Sequence, residues 1–224
     1  MPFITSANVA CGGHAGDATT MRETTKLAMS CGVQVGAHPG YADKPNFGRK
    51  ELVLSSSEIR ALMIEQIERL QVFSQISHVK PHGALYNLAA RDPVVADVLA
   101  RAIWECDRSL ILFALANSEL VRAGRACGLA VAEEVFGDRT YQSNGSLTPR
   151  ASAGAVIRDP AVVRAQVFQM VTSGTVRAVD GTIVPIQPDT LCLHGDGPDA
   201  VTFAKVLREE LAAAGVTVKA FARR

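Results

Sequence analysis

The sequence has almost no net charge and no long apolar run. Its 224 residues carry 23 Lys and Arg against 22 Asp and Glu, a formal net charge of +1. This balance excludes the basic footprint of a protein that binds nucleic acid or an anionic membrane surface. No apolar run approaches the roughly 20 residues that a bilayer-spanning helix needs. We therefore expect neither a nucleic acid nor a membrane as partner.

Cysteine pairs with C-x-x-C spacing and targeting signals are also missing. The five cysteines are an odd number, which favours reduced thiols in the cytoplasm that serve mostly in packing. The segment Met1–Thr5 carries no basic residue, so we expect no signal peptide. The sequence contains no P-loop, no G-x-G-x-x-G followed by a ribose-binding acid, and no serine nucleophile elbow. A phosphate site, if present, would be of another kind.

The residues that are present predict one α/β domain over residues 1–224. Hydrophobic residues make up 48% of the chain and charged residues 20%, enough apolar material for a sizeable core. Strand patterns alternate with helical patterns of about 10 to 20 residues, which indicates βαβ units and a parallel sheet. We expect strands at Phe3–Ala10, Val33–His38, Leu110–Leu115, Leu129–Phe136 and Val216–Phe221, among others, and a hairpin within Thr175–Pro185. We expect helices to begin at the Ser55–Glu58 capping box and at the Asp92-Pro93 and Asp159-Pro160 caps. In a compact (β/α) barrel or a doubly wound sheet, ligands bind at the carboxyl ends of the strands.

All five histidines, namely His14, His38, His78, His82 and His194, lie on or just after predicted strands. One such histidine is often structural, but five favour a shared pocket. His78 and His82 have H-x-x-x-H spacing, yet Pro81 argues against a helix. On an extended strand their Cα atoms would be about 13 Å apart, too far to chelate one ion unless the chain turns after Pro81.

Charged residues follow the same strand ends. Lys80 is either a pocket cation or the salt-bridge partner of an acid such as Glu134. Glu134 is paired with Lys80 or Arg139, or it is an acid/base group. The glycine-rich turn after Cys192 has three interpretations. It binds an anion, it presents His194 and Asp196 as a base and its orienting acid, or it is only a tight strand-to-helix turn.

Seven stretches resemble the LamB/YcsF family and together span nearly the whole chain. They are SANVACGGHAGD (6–17), GAHPGY (36–41), FGRK (47–50), HVKPHGALYN (78–87), EVFGDRTYQSNGSLTPR (134–150), VDGTIVPI (179–186) and LCLHGDGP (191–198). The resemblance implies the (β/α) barrel of the glycoside hydrolase/deacetylase type, which is seven-stranded in the family. It also implies ATP-dependent opening of the 5-oxoproline lactam to L-glutamate, together with two partner subunits of the B and C type. ATP would be a co-substrate, and a divalent cation such as Mg²⁺ would accompany it.

The resemblance and the residue chemistry together select candidate site residues. The catalytic candidates are His14, Asp17, His38, Lys80, His82, Glu134, Asp138, His194 and Asp196. The candidates for binding substrate or phosphate are Asn8, Arg49, Lys80, Arg139, Tyr141 and Arg150. No metal ligand is expected.

One departure from the family pattern leaves two alternatives open. Family members begin with a strand that carries an Asn-Cys-Asp-Leu-Gly-Glu-like motif, whereas this sequence begins at Met1-Pro2-Phe3. We therefore expect that the first barrel strand is absent from the sequence. Either the start of the sequence is misplaced, or this is a genuinely shortened member, in which case the barrel has an open edge between its last strand and Phe3–Ala10. An N-terminally shortened, non-catalytic subunit is one alternative function. A metal-dependent deacetylase-like hydrolase, with its ion held by two histidines and an acid, is the other.

Overall fold

A computed structural model of the chain describes residues 1–195 and 200–221. The chain divides into two groups of residues that pack mainly within themselves. The first unit comprises Met1–Ala114 and Ser118–Ala132, and the second comprises Leu115–Asn117 and Glu133–Phe221. The prediction of a single domain over residues 1–224 stays a prediction.

Strands and helices alternate along the chain as the sequence predicted. The elements are β1 (Ser6–Ala10), α1 (Ala18–Ser30), β2 (Gln34–His38), α2 (Ser56–Gln71), β3 (His78–Val79), α3 (Gly83–Arg91), α4 (Pro93–Cys106), β4 (Ile111–Leu115), α5 (Glu119–Ala126), β5 (Ala130–Phe136), α6 (Pro160–Ser173), β6 (Thr175–Arg177), β7 (Ile183–Pro185), β8 (Thr190–Cys192) and α7 (Ala200–Ala213). The short segment Lys44–Asn46 is a 3₁₀ turn.

Six strands form one sheet in the order β1-β2-β3-β4-β5-β8. The pairs β1–β2, β2–β3, β3–β4 and β5–β8 are parallel, which confirms the predicted α/β fold with a parallel sheet. The predicted hairpin is also confirmed, because β6 and β7 pair in antiparallel register. Parallel strands place their carboxyl ends at one edge of the sheet, and the loops that follow them are therefore neighbours.

Side-chain caps fix the beginnings of several helices. The Asp17 carboxylate accepts a hydrogen bond from the backbone at the start of α1. Ser55 and Glu58 form the predicted capping box at α2. Asp92 and Asp159 cap α4 and α6, each directly before a proline. Such caps satisfy backbone N–H groups that have no partner within the helix, and each is typically worth about 1 kcal/mol.

The core of the first unit joins the sheet to its helices. Helix α2 packs against α4, and α4 packs against α5. Burying one large aliphatic side chain is worth about 1.5–3 kcal/mol, so this cluster holds β1 to β4 in fixed register. Its fully buried members include Met63, Ile67, Leu70, Val79, Leu99, Ile103 and Leu112.

Two parts of the sequence prediction need correction or extension. The expected strand at Val216–Phe221 is wrong, because this segment has no strand pairing with any described residue. Its alternating pattern indicates extended backbone, but a strand also needs a neighbour for its backbone groups. Helix α3 was not predicted, since Pro81 and Gly83 at its start resemble a loop. Within the described residues, no helix is both long and apolar enough to cross a membrane.

Candidate functional site

Three histidines of the first unit meet at the carboxyl ends of neighbouring strands. His14 lies in the loop after β1, His38 is the last residue of β2, and His82 follows β3. The register pairs Ala10 with His38, so the ends of β1 and β2 are level. The order β1-β2-β3 then brings the three following segments to one edge of the sheet.

The three rings form a compact group, which we call the histidine cluster. The Nδ1 atom of His82 lies 2.9 Å from Nε2 of His38. The ring of His14 stacks on that of His82, with centroids 3.7 Å apart and an interplanar angle of 9°. One ligand-capable atom from each residue lies within 4.8 Å of the other two. The cluster thus brings together three of the five histidines that the sequence assigned to a pocket.

Backbone carbonyls orient two of these rings. The Nδ1 atom of His38 lies 2.6 Å from the carbonyl oxygen of Lys80, and Nε2 of His82 lies 2.8 Å from that of Phe47. A carbonyl oxygen only accepts, so both nitrogens donate. Phe47 has a φ of 53°, which is uncommon for a residue with a side chain and costs conformational energy. The carbonyl that accepts from His82 therefore belongs to a residue with an uncommon backbone conformation.

Burial keeps the cluster neutral. Burial, followed by the charge of Arg49, lowers the pKa of His14 to about 4. Burial and the neighbouring His14 are the main causes that lower the pKa of His82 to about 3. Burial and the neighbouring His82 hold the pKa of His38 well below its ordinary value. Near pH 7, imidazoles of this kind present lone pairs rather than positive charges.

Glycines make room for the cluster. A Cβ atom at Gly48 would lie 2.7 Å from Cβ of His14. A Cβ atom at Gly40 would lie 3.0 Å from Cβ of His82 and 3.1 Å from Nδ1 of His14. Gly48 also has a φ of +63°, a conformation that favours glycine. These two backbone segments therefore approach the rings as closely as they do because they lack side chains.

His78 has a different environment from the cluster. Its Nε2 atom lies 3.0 Å from Oδ1 of Asn8, and its Nδ1 lies 2.9 Å from Oγ of Ser77. Its ring stacks on Phe113 with centroids 4.2 Å apart. Burial and the nearby charge of Lys80 lower its pKa to about 3. His78 and His82 therefore do not act as one chelating pair, and Asn8 holds His78 in place.

The remaining candidates of the first unit are not members of the histidine cluster, although the charges of Lys80 and Arg49 act on its pKa values. Lys80 is buried, with 5% of its surface exposed, and its Nζ lies 5.7 Å from the ring centroid of Tyr86. Arg49 is exposed, and its guanidinium lies 4.8 Å from the ring centroid of Phe47. Asp17 is an exposed helix cap, and a catalytic role for it stays a prediction.

The second unit contains a histidine–aspartate pair at the ends of β5 and β8. The register pairs Phe136 with Cys192, and Asp138 and His194 each follow by two residues. The Nδ1 atom of His194 lies 2.7 Å from a carboxylate oxygen of Asp138. Burial raises the pKa of Asp138, but the hydrogen bond and charge of His194 outweigh it and the pKa is lowered. The Asp138 carboxylate orients His194 so that Nε2 remains for a proton transfer.

Arg139 and Tyr141 support the loop that follows β5. The Arg139 guanidinium donates to the carbonyls of Ala155 at 3.1 Å and Thr148 at 2.5 Å. Burial and the charge of Arg150 lower its pKa. The Tyr141 hydroxyl accepts from the backbone N–H of Phe136 at 2.8 Å, and burial raises its pKa. The two side chains hold the loop in place, whereas their predicted substrate contacts stay predictions.

Glu134 and Asp196 are the two remaining acidic residues among the catalytic candidates. Glu134 is buried on β5, with 1% of its surface exposed. The catalytic candidate Asp196 lies outside the described residues.

The sequence prediction missed Gln66, which is buried on α2. Its Oε1 atom accepts from the backbone N–H of Gly40 at 3.1 Å, and its Nε2 donates to the Gly40 carbonyl at 2.7 Å. Gln66 thereby fixes the loop after β2, next to the histidine cluster. The available signal was a polar residue at an apolar position of the helical pattern, between Met63 and Leu70.

Comparison with known proteins gives a consistent result over the whole chain. The family model described as LamB/YcsF family matches residues 1–224. The chain is similar to the A-type subunit of 5-oxoprolinase from Brevibacillus brevis, with 49% identity over 100% of this chain and 90% of that protein. It is also similar to the A-type subunit of 5-oxoprolinase from Methylococcus capsulatus, with 51% identity over 98% of this chain and 86% of that protein.

A solved structure supports the same assignment at the level of the fold. The crystal structure of a lactam utilization protein from Thermus thermophilus matches with a TM-score of 0.90 and 41% identity. The match covers 98% of this chain and 90% of that one.

Proposed function

The chain belongs to the LamB/YcsF family, and from this membership we propose that it is the A-type subunit of an ATP-dependent 5-oxoprolinase. It hydrolyses the lactam of 5-oxoproline to L-glutamate, coupled to ATP hydrolysis. The observation that carries the proposal is an identity of 49–51% to relatives named as this subunit of 5-oxoprolinase, over nearly the whole chain. The similarity to the Thermus protein, whose name refers to lactam utilization, also supports it.

The chemistry of the lactam explains why such a reaction uses ATP. An unstrained five-membered lactam is a poor electrophile that resists attack by water. Phosphorylation of the lactam oxygen by ATP makes the ring carbon attackable by water. The C–N bond then breaks as the nitrogen takes a proton, which gives an acyl phosphate, and hydrolysis of this acyl phosphate releases L-glutamate and phosphate. The protein then needs a base for water, cations for the substrate carboxylate and the phosphate, and a shielded environment.

The His194–Asp138 pair suits the role of the base. With Nδ1 hydrogen-bonded to the carboxylate at 2.7 Å, the imidazole keeps its Nε2 lone pair for a proton from water. Asp138 also stabilises the imidazolium that forms when the proton is taken. We assign proton transfer to His194 and orientation of its ring to Asp138.

Other candidate residues carry the charges that the proposed reaction needs. Lys80 and Arg49 are the cations that we assign to carboxylate or phosphate, and Arg150 has that role in the second unit. A buried ammonium such as Lys80 attracts an anion more strongly than an exposed one, because water screens it less. Glu134, Asp17 and Asp196 remain proposed acid/base groups, and His14, His38 and His82 remain proposed members of the catalytic machinery.

The proposal extends to cofactors, partners and location. ATP is a co-substrate, accompanied by a divalent cation such as Mg²⁺, and two further subunits of the B and C type complete the enzyme. A cytoplasmic location agrees with the five free cysteines, since cytosolic thiols stay reduced. If the chain is instead a non-catalytic subunit, we expect no glutamate when it is mixed with its partners, ATP and 5-oxoproline.

A turnover assay with the two partner subunits tests the proposal. The purified chain, its partners, ATP and 5-oxoproline are mixed, and glutamate and phosphate are measured. We expect glutamate only when all three proteins and ATP are present. Glutamate formation that does not require this chain, or none in the complete mixture, would refute the proposed function.

Three variants test the proposed residues in the same assay. Lys80→Ala, His82→Ala and Glu134→Gln should each lower turnover. Asp97→Asn is a matched control, because it disturbs only the exposed ion pair between Asp97 and Arg101. Unchanged turnover in all three test variants would remove these residues from the site while leaving the proposed function intact.

A further inference from the structure

The hydrogen bonds of the histidine cluster leave two ring nitrogens without a proton between them. His38 Nδ1 and His82 Nε2 both donate to carbonyl oxygens. In neutral imidazoles, His38 Nε2 and His82 Nδ1 then carry lone pairs, and these two atoms face each other at 2.9 Å. Two lone pairs at this distance repel each other. A cation on these nitrogens, either a proton or a metal ion, removes the repulsion.

His14 adds a third nitrogen to the pair. Its side chain is buried, with 3% of the residue exposed, and its Nδ1 has no hydrogen-bond partner among the described residues. A buried polar atom without a partner is energetically unfavourable, so the environment of His14 Nδ1 needs an explanation. One ligand-capable nitrogen of each ring lies within 4.8 Å of the other two. A proton satisfies two of these nitrogens, whereas a metal ion satisfies three.

We propose that His14, His38 and His82 bind one divalent transition-metal ion of the zinc class. Neutral imidazole nitrogen is a ligand preferred by Zn²⁺ and its neighbours rather than by Mg²⁺ or Ca²⁺. Three protein ligands leave the fourth tetrahedral position open, as in catalytic zinc sites. In the deacetylase-like alternative, two histidines and an acid hold the ion. The site proposed here differs, because its third ligand is an imidazole.

The surroundings of the cluster resemble those of a metal centre. Histidine ligands usually donate their second N–H to a carbonyl or a carboxylate, which fixes the tautomer and the ring orientation. The carbonyls of Lys80 and Phe47 provide this for His38 and His82. Gly40 and Gly48 leave the space that the rings need.

Metal binding requires limited movements of the rings. Zinc–nitrogen distances of about 2.0–2.1 Å place tetrahedral ligand atoms about 3.3 Å apart, so His38 and His82 need to separate by only a few tenths of an ångström. The His14 ring lies parallel to that of His82, and one ion cannot lie in both ring planes. His14 therefore rotates about its side-chain bonds, and its Nδ1 breaks no hydrogen bond to a described residue in doing so.

Metal titration of the purified chain tests this inference without any activity measurement. Protein dialysed against a chelator is titrated with Zn²⁺ by calorimetry and with Co²⁺ by visible absorption. We expect one equivalent of metal per chain and the absorption of a tetrahedral Co²⁺ site with nitrogen ligands. His38→Gln and His82→Gln should weaken binding by at least about 100-fold, and His14→Gln should also weaken it.

His194→Gln is the matched control, since it removes an imidazole from the second unit and should leave the metal affinity unchanged. Circular dichroism of each metal-free variant verifies folding, and the titration of the unmodified chain decides the result if a variant does not fold. Stoichiometry well below one equivalent in the unmodified chain would overturn the inference and favour a shared proton. A thiolate-to-metal charge-transfer band, or equal loss of affinity in His194→Gln, would also overturn it.

Discussion

Gln66→Leu is the most direct test of how the first unit is built around its strand ends. The substitution keeps a side chain of similar volume on α2 but removes both hydrogen bonds to Gly40. Gly40 is buried, so water cannot replace the lost partner. Its N–H and its carbonyl both become unsatisfied.

The expected loss of unfolding free energy follows from the two Gly40 backbone groups that lose their partner. Leaving a buried donor or acceptor without a partner costs about 1–3 kcal/mol, which gives about 2–6 kcal/mol for the two. Because Leu fills nearly the same space, little of the loss comes from a cavity. This is a large fraction of the stability of a typical protein.

Urea denaturation followed by far-ultraviolet circular dichroism measures the loss of unfolding free energy. Hydrogen exchange at the Gly40 amide provides a local readout, which should become faster in the variant. Gln75→Leu is the control, because Gln75 is exposed and the same chemical change there should stay within about 0.5 kcal/mol. A loss below about 1 kcal/mol for Gln66→Leu would refute the role assigned to these hydrogen bonds.

Three further predictions address the pH response, the packing and the proposed catalytic pair. Folding lowers the pKa of His78 from 6.5 to about 3, so the unfolded chain binds a proton at this residue first as the pH drops. The contribution of His78 to the free energy of unfolding is complete above about pH 6.5 and decreases by about 2 kcal/mol at pH 5. A free energy of unfolding from urea denaturation that does not change between these pH values would contradict this prediction. Gly36→Ala would place a Cβ atom 2.1 Å from the His78 ring and should destabilise the fold by about 1–3 kcal/mol in the same assay. Gly195→Ala is its control and should have little effect, because a Cβ atom there meets no described atom within 4 Å. Asp138→Asn should lower kcat by about 100-fold or more without lowering thermal stability, because His194 loses the carboxylate that orients it; an unchanged kcat in the assembled enzyme would exclude this pair.

The family resemblance and the local rules were sufficient for much of the fold. The Ser55–Glu58 capping box and the Asp92 and Asp159 caps are local features, and each begins a helix where the sequence predicted it. The strand at Val216–Phe221 failed because strand formation depends on a partner that a local pattern does not contain.

The sequence by itself determined which chemical groups this protein places at its strand ends. All five histidines stand on or after strands, and this follows from the local alternation of strands and helices. Only the tertiary structure decided which of them meet, because strand order and register are properties of the sheet. They bring His14, His38 and His82 together, hold His78 against Asn8 and Phe113, and pair His194 with Asp138.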